Sequence, residues 1–468
     1  MIKKLISLFS PRLNGSTCAK KRPVDDVSQL NAQLQSMVND PRNALPENCD
    51  IHDTFVLCQL THHHNGHLRE KAVQCLGLRR DIAAIEELLA SANDWVKEVR
   101  LAAKTALRGL MTHNNTAAFA VNLPAVRKLL ICQRSDHTQF VAEIMHFLLT
   151  DENLPQLQHW LVCPDRRISR AVLQTLIEYD RFNDEDLMLL VLRQPDTGLR
   201  TQAVEHWLGQ QLPLSAKLLA RLLQDRWPRI RQSTLFCLGD RGMAIPPTLY
   251  TRLLMDNRAL IRLRTRNMLM PDINVAQCWL SAVVSAEYSP SQRRAALYGL
   301  HHIHDPNVLA LARWGLSQEL RPLQLTAIHI LAEVAPHAEI KAPVLAALAS
   351  PDACGITFLV NLILRYRFPI TRDEIHHLLK HAPSVRHTSA YYRLCHNLNK
   401  WDSLILLLQF HPTLAEENGY KQLAIWQKNF NLSGIQPDAQ QRQQLNELFT
   451  RHPEFHATLW SYLPFKRT

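Results

Sequence analysis

The sequence predicts an all-α protein, built as a right-handed α-solenoid of stacked two-helix repeats with a helical C-terminal region. Two observations carry this prediction: a set of residue types recurs every 31 residues, and glycine is scarce, with 13 glycines in 468 residues. A content of about 7% is usual, and sheet-rich folds and phosphate-binding loops use glycine for tight turns and close backbone approach. Apolar residues make up 46% of the chain, which is enough for an extensive buried core.

An arginine marks the repeat. It recurs at 31-residue intervals at Arg69 and Arg100, and again at Arg200, Arg231, Arg262 and Arg293. Positions −1, +3 and +7 relative to this arginine are mostly aliphatic or small, and their spacing of four places them on one face of an α-helix. The residues at +7 are Leu76, Leu107, Leu176, Trp207, Leu238, Leu269, Leu300 and Leu331. We call this helix B and expect its apolar face to be covered by neighbouring repeats.

A turn precedes each helix B. An acidic residue stands six positions before the marker arginine at Asp94, Asp225, Asp256 and Glu287. Such residues are typical of turns and helix starts. Apolar pairs such as Leu222–Leu223 lie before the turn and close a first helix, helix A. The pattern predicts about ten units between residues 50 and 370, one of them atypical and located around residues 110–150.

These patterns divide the chain into four segments. The segments are a flexible basic N-terminal segment at 1–24, an N-terminal capping helix at 25–50, the repeat solenoid at 51–370, and a helical C-terminal cap or small separate domain at 371–468. Solenoids require capping elements at both ends, because a terminal repeat has no neighbour to cover its apolar face.

The sequence also bears on location. No run of 18 apolar residues occurs, so no transmembrane segment is predicted. Within residues 1–9, four apolar side chains follow helical spacing beside Lys3 and Lys4. We favour a frayed basic tail here. The alternative is a short amphipathic helix that makes weak contact with a membrane surface. The ten cysteines are scattered without a CxxC pair, as is typical of a reducing compartment. We therefore expect a cytoplasmic protein.

The repeat pattern resembles the HEAT-repeat family, in particular its short, lyase-like repeats of about 30 residues. The resemblance rests on segments such as NDWVKEVRLAAKTAL and DRWPRIRQSTLFCLG, and it covers roughly two-thirds of the chain. It implies the solenoid fold. The family includes scaffolds, bilin lyases and proteins that bind damaged DNA, and this chain matches the functional residues of no single subgroup.

No catalytic residue, cofactor or metal ligand is predicted. The chain lacks the HExxH, GxSxG, GxxxxGK[ST] and GxGxxG motifs, so an enzyme is the less favoured interpretation, although an active site assembled from scattered residues stays open. The histidines at 62–64 and 67 belong to a residue type that binds zinc or copper. Consecutive helical side chains point in different directions, so we favour a loop or helix end there.

Positive charge is concentrated in one segment. Residues 200–294 hold 14 Lys and Arg against 6 Asp and Glu, a net charge of +8 of the total of +11. The in-register arginines of this segment are predicted to pair with turn acids of adjacent repeats. The off-register residues are the candidate partner-binding residues, because arginine beside an aromatic ring suits contact with phosphate or carboxylate. These candidates are Arg226, Trp227, Arg229, Arg258, Arg264 and Arg266. Solvated residues on an outer helical face are the alternative.

We therefore predict a non-catalytic scaffold or adaptor that holds a protein partner with an acidic surface in its concave groove. A second hypothesis is a nucleic-acid-binding protein, with DNA-lesion processing as one form of that function, and it predicts a steep loss of affinity with salt. A third hypothesis, a bilin lyase-like protein, rests on the family resemblance alone.

Overall fold

The computed structural model describes residues 24–43, 50–270, 272–410, 416–430 and 435–459, and all regular structure within these ranges is helical. The chain divides into two compact units, Met1–Thr234 (unit 1) and Leu235–Thr468 (unit 2). Of the helices in the described ranges, none combines the length and the apolar character needed to cross a bilayer. Residues 1–23 of the predicted basic segment lie outside the described residues. They include residues 1–9, for which contact with a membrane surface is the alternative prediction.

Unit 1 begins with a helix that overlaps the predicted N-terminal cap. Its helices are α1 (Val24–Val38), α2 (Thr54–Leu60), α3 (Gly66–Arg79), α4 (Ile85–Ser91), α5 (Lys97–Leu110), α6 (Thr116–Val121), α7 (Leu123–Lys128), α8 (Thr138–Leu148), α9 (Leu154–His159), α10 (Arg166–Glu178), α11 (Glu185–Leu192), α12 (Thr197–Gly209), α13 (Ala216–Leu223) and the first half of α14 (Pro228–Asp240). Short 3₁₀ turns join several of them, at Pro41–Asn43, Ile82–Ala84, His113–Asn115, Leu129–Ile131 and Trp160–Val162.

Unit 2 continues with helix pairs of the same kind. Its helices after α14 are α15 (Tyr250–Leu254), α16 (Ala259–Leu269), α17 (Val275–Val284), α18 (Pro290–His302), α19 (Val308–Leu316), α20 (Arg321–Val334), α21 (His337–Ala349), α22 (Ile356–Tyr366), α23 (Arg372–Lys380), α24 (Val385–Leu394), α25 (Lys400–Gln409), α26 (Glu416–Lys428), α27 (Ala439–Arg451) and α28 (Pro453–Leu459). The 3₁₀ turns in this unit are Pro247–Leu249 and Cys395–Asn397.

Within each unit the helices stack as successive A–B pairs, as predicted for a solenoid. In unit 1, helix B of one repeat, α3, packs against its own helix A, α2, and against the next helix B, α5. In unit 2, α18 packs in the same way against α17 and α20. Each pair therefore covers the apolar face of its neighbour, which a lone pair cannot do.

The register predicted from the arginine period matches the buried core. All residues at the predicted +3 and +7 positions are buried. Leu238, Leu269 and Leu300 lie in equivalent places on α14, α16 and α18, and each is at most 6% exposed. At position −1, Ile168 and Gln292 are the exceptions, because both are only half-buried.

Two stretches depart from the simple pair. Residues 116–148 contain three helices, α6, α7 and α8, where the sequence predicts one atypical repeat. Beyond residue 370 the 31-residue period is lost, yet the stacking persists, since α24 packs against both α22 and α23. Packing between helix pairs therefore extends further along the chain than the sequence period does.

A ladder of buried arginines ties consecutive repeats together. Arg200 donates from Nε to Asp225 of the next A–B turn at 3.1 Å and from Nη1 to the Gln194 carbonyl of its own turn at 2.7 Å. Arg69 repeats this arrangement with Asp94, at 2.8 Å between Nη2 and Oδ1. The contact of Arg200 confirms the predicted pairing of an in-register arginine with a turn acid of the next repeat. Arg69, outside the segment for which this pairing is predicted, makes the same contact. The same carboxylates also hold their own turn, because Asp225 accepts a hydrogen bond from the Trp227 amide at 2.7 Å.

The predicted pairing with an adjacent turn acid is wrong for Arg262 and Arg293, which donate to backbone carbonyls and form no ion pair within the described residues. Arg262 donates to the Asp256 carbonyl of its own turn at 2.7 Å, and burial lowers its pKa to about 10. Arg293 donates to the Val283 carbonyl at 2.8 Å. In-register arginines therefore bind backbone carbonyls even where no carboxylate pair forms.

We expect the ladder to make stability depend on pH. Burial disfavours the charged form of Asp94, but the hydrogen bonds from Arg69 and from the Val96 amide outweigh burial, and the pKa of Asp94 lies below its usual value. A lowered folded-state pKa contributes stability above the unfolded-state value, near 4, and the contribution disappears as pH falls through the folded value. The free-energy difference between wild type and Asp94→Asn should therefore be present at pH 7 and shrink below about pH 4. Urea unfolding of both proteins at pH 7 and below pH 4 measures this free-energy difference. A difference that does not change with pH would contradict the lowered pKa of Asp94.

A glycine in α18 permits close helix packing. A Cβ at Gly299 would lie 2.6 Å from the indole of Trp279, which is fully buried and donates from Nε1 to the Leu254 carbonyl at 3.0 Å. The indole cannot yield, so Gly299→Ala should lower the free energy of unfolding by about 1–3 kcal/mol. Gly109→Ala is the matched control, since its Cβ meets nothing within 4 Å. Thermal unfolding should show no loss for that control, and equal effects of the two variants would refute the packing argument.

Candidate partner-binding surface

The B helices leave one face uncovered by the stacking. Positions +1 and +5 relative to the marker arginine lie opposite the buried positions −1, +3 and +7. Position +5 is Phe236 in α14, Tyr298 in α18 and His329 in α20. Phe236 is 42% exposed, and Tyr298 and His329 are half-buried. The open face of several B helices in unit 2 therefore carries rings.

Three successive B helices of unit 2 bring these rings into contact. The hydroxyl of Tyr298 and Nδ1 of His329 lie 2.9 Å apart, within hydrogen-bonding distance. The His329 ring meets that of Phe358 on α22 edge to face, with centroids 5.6 Å apart, and lies 6.3 Å from that of Tyr366. An edge-to-face contact stabilises an aromatic pair by more than the burial of its surface area alone. We call the following set the ring cluster: Tyr298, His301, His302, His329, Phe358 and Tyr366.

Two arginines flank the ring cluster. Arg294 lies over the Tyr298 ring at 6.0 Å from its centroid, and Arg365 lies over the Tyr366 ring at 5.5 Å. Glu333 is 3.2 Å from Nε2 of His301. Guanidinium groups over ring faces gain from cation–π attraction, so both positive charges lie next to rings of the cluster.

Burial sets the protonation of the cluster. It lowers the pKa of His329 and of His302 and raises the pKa of the Tyr298 hydroxyl. At neutral pH these groups are therefore uncharged. The centre of the cluster is apolar with a few hydrogen-bonding atoms, and the arginines supply positive charge at its rim.

Three of the six predicted binding residues lie in unit 1, at or just after the A–B turn before α14. Arg226 is exposed and donates from Nη2 to the Pro195 carbonyl at 3.2 Å. Trp227 is 43% exposed. Arg229 is exposed and pairs with Glu205 at 2.6 Å.

The other three lie in unit 2, around α16. Arg258 is exposed, and its amide donates to Asp256. Arg264 packs over the Phe236 ring at 5.0 Å and lies 3.7 Å from Asp240. Arg266 donates to Asn267 at 3.3 Å. Four of the six predicted residues thus have side-chain contacts within their own unit, whereas Trp227 and Arg258 form no side-chain hydrogen bond or ion pair within the described residues.

Sequence reasoning missed the ring cluster. The signal was present at position +5, where Tyr298 and His329 are 31 residues apart, but this position does not face the core and so lies outside the apolar pattern that predicts the repeat. Phe358 was not predicted for another reason: the 31-residue register slips in the repeat that contains α22.

Unit 1 has ring–cation contacts of its own. Lys104 and Arg108 of α5 lie over the Phe140 ring, at 5.6 Å and 5.4 Å from its centroid. At another A–B turn, Trp95 is 76% exposed and Arg134 stacks on it at 3.7 Å. These contacts pair single rings with arginine or lysine and, unlike the cluster in unit 2, do not join rings from three helices.

The histidines at 62–64 have structural contacts. His62 lies 2.7 Å from Glu87, and Nε2 of His63 lies 2.9 Å from the Asn43 carbonyl. The rings of His63 and His64 have centroids 4.0 Å apart. Over the described ranges of the chain, no group of three or more His, Cys, Asp or Glu side chains is arranged to hold a metal ion.

Comparisons with known proteins place the chain in no family. No protein-family model matches it, and no curated protein matches it. Among solved structures, the karyopherin Kap121p bound to the extreme C-terminus of the protein phosphatase Cdc14p is similar at 15% identity over 84% of this chain, with a TM-score of 0.29. Importin beta is similar at 14% identity over 88% of this chain and 65% of its own, also with a TM-score of 0.29. The chain spans about half the length of the Kap121p structure.

Proposed function

We propose that this chain is a non-catalytic HEAT-like repeat scaffold that binds a protein partner along the open face of its B helices, with the ring cluster at the centre of the contact. The observation that carries the proposal is the joining of Tyr298, His329 and Phe358 across three successive repeats. Solenoids bind partners along such continuous surfaces, where each repeat contributes a few side chains.

The chemistry of the cluster supports a protein ligand. Tyrosine, phenylalanine and arginine are enriched at protein interfaces, and binding energy concentrates in a few such residues. The rings already pack against one another, so their side chains would lose little conformational entropy when a partner binds. Phe358 is 36% exposed, which leaves apolar surface to cover.

The charge around the cluster favours an acidic partner surface. Arg294 and Arg365 stand at its rim against one acid, Glu333. Residues 235–294 of the same unit hold 8 Lys and Arg against 4 Asp and Glu. Opposite charge at an interface accelerates association and excludes wrong partners. We further propose that Trp227 and Arg258 contribute to partner contact. We also propose that the protein acts in the cytoplasm.

Affinity purification from the native cell, with and without nuclease, tests the proposal. We expect a protein that co-purifies in stoichiometric amount and survives nuclease treatment. Material that nuclease removes, together with binding to DNA that falls steeply with salt, would favour the nucleic-acid hypothesis instead. A defined catalytic turnover without a stoichiometric partner would contradict the scaffold.

A further inference from the structure

A small cationic pocket lies between two successive A helices of unit 1, α11 and α13. Its volume is about 270 Å³. It is lined by Leu189, Arg193, Lys217, Ala220, Arg221 and Gln224. The pocket belongs to the A helices and is separate from the B-helix face that carries the ring cluster.

Helical spacing explains why these side chains converge. Leu189 and Arg193 are four residues apart at the end of α11, and Lys217 and Arg221 are four apart on α13, so each pair projects from one face of its helix. Arg221 is further fixed because its Nη2 donates to the Leu192 carbonyl at the end of α11, at 2.9 Å. One guanidinium is therefore already positioned at the pocket wall.

The lining contains three cations and no carboxylate. Arg193 and Lys217 are exposed, and neither forms an ion pair with another residue in the described part of the chain. Like charges held close together repel one another. A bound anion would relieve this repulsion, because each cation would gain an opposite charge within a few ångströms.

The fold itself does not require these cations. In unit 2, an equivalent pocket between the A helices α21 and α23 has a volume of about 480 Å³ and is lined by Asp373, Glu374 and His377 beside apolar side chains. The same architectural position thus carries acids in one unit and bases in the other. The charge of the pocket in unit 1 is a property of its residues and not of the repeat.

We propose that the pocket formed by Arg193, Lys217 and Arg221 binds a phosphate monoester group. Arginine matches phosphate oxygens with its planar fork of donors, and lysine adds a point charge. Leu189 and Ala220 supply an apolar wall for the carbon atoms that carry the phosphate. The phosphate can belong to a phosphorylated side chain of a partner protein or to a small phosphorylated molecule, and both present the same dianion.

Binding to the full-length chain at low salt tests the proposal. The probes are inorganic phosphate, a phosphoserine peptide, the same peptide without phosphate and a single-stranded oligonucleotide, each titrated by calorimetry. The test variant is Arg193→Gln with Lys217→Gln, which keeps Arg221 and its contact with Leu192. The control is Lys97→Gln with Lys128→Gln, which removes two exposed lysines elsewhere in unit 1 and changes the net charge by the same amount.

We expect saturable binding of the phosphorylated probes, at least tenfold weaker in the test variant and unchanged in the control. Tighter binding of the phosphopeptide than of phosphate identifies a protein-borne group, and equal binding identifies a small molecule; both support the pocket. Three results would overturn it: no saturable binding, equal loss in both variants, or equal binding of the unphosphorylated peptide. A fourth result would also overturn it: tighter binding of the single-stranded oligonucleotide than of the phosphorylated probes, since a phosphodiester would then be the ligand.

Discussion

Replacing Arg200 by alanine should lower the free energy of unfolding by about 3–5 kcal/mol, the largest stability effect we expect of any single change. The side chains of Arg200 and Asp225 are both 1% exposed. Without the guanidinium, the carboxylate of Asp225 would stay buried without its ion-pair partner, and the Gln194 carbonyl would lose a hydrogen-bond donor. Urea unfolding of the full chain, followed by circular dichroism, measures the loss.

Two further variants separate this effect from a general loss of arginine. Arg229→Ala removes an exposed pair with Glu205 and should cost under about 1 kcal/mol. The double variant Arg200→Met with Asp225→Asn should recover most of the lost stability, because no unpaired charge remains and the asparagine still accepts from the Trp227 amide. If Arg200→Ala cost no more than Arg229→Ala, the ladder would not hold the repeats together.

Replacing Tyr298 or Phe358 by alanine should weaken partner binding by about 30-fold each, which corresponds to about 2 kcal/mol. Both rings contact His329, so each truncation removes partner contact and loosens the packing of the remaining rings. The affinity of the purified partner, measured by calorimetry or surface plasmon resonance, gives the change.

Phe55→Ala is the matched control for the ring cluster. Phe55 is 67% exposed on α2, a helix A of unit 1, and is an equally apolar side chain outside the proposed surface. Its replacement should leave the affinity within about twofold. If Phe55→Ala reduced binding as much as Phe358→Ala, the partner would be held by scattered apolar contacts and not by the ring cluster.

The core of this protein was predictable because it depends on period and residue size. Positions +3 and +7 are buried in all eight repeats that share the register, including the one in which position +3 is Thr265. The pairing of Arg200 with Asp225 was also predictable, since a periodic arginine and a periodic acid, one repeat apart, meet when repeats stack. The residue types that recur every 31 residues are those that pack between repeats, so their contacts can be predicted from the sequence.

The candidate surface was less predictable for the opposite reason. Side chains on the open face are not constrained by the repeat, so Tyr298 and His329 share a position without sharing a residue type. Arg264 was predicted to contact a partner from its charge, but a long side chain can also pack on its own unit, as it does over Phe236. Contacts between exposed side chains depend on rotamers and on neighbours in other repeats, which a linear pattern does not specify.

Hydrogen–deuterium exchange of the full chain with and without its purified partner tests the central claim most directly. The account predicts that partner binding slows exchange in peptides covering the B helices α18, α20 and α22, and leaves the A helices α19 and α21 unchanged. Protection confined to A helices, or an equal response throughout unit 2, would show that the open face of the B helices is not the surface that holds the partner.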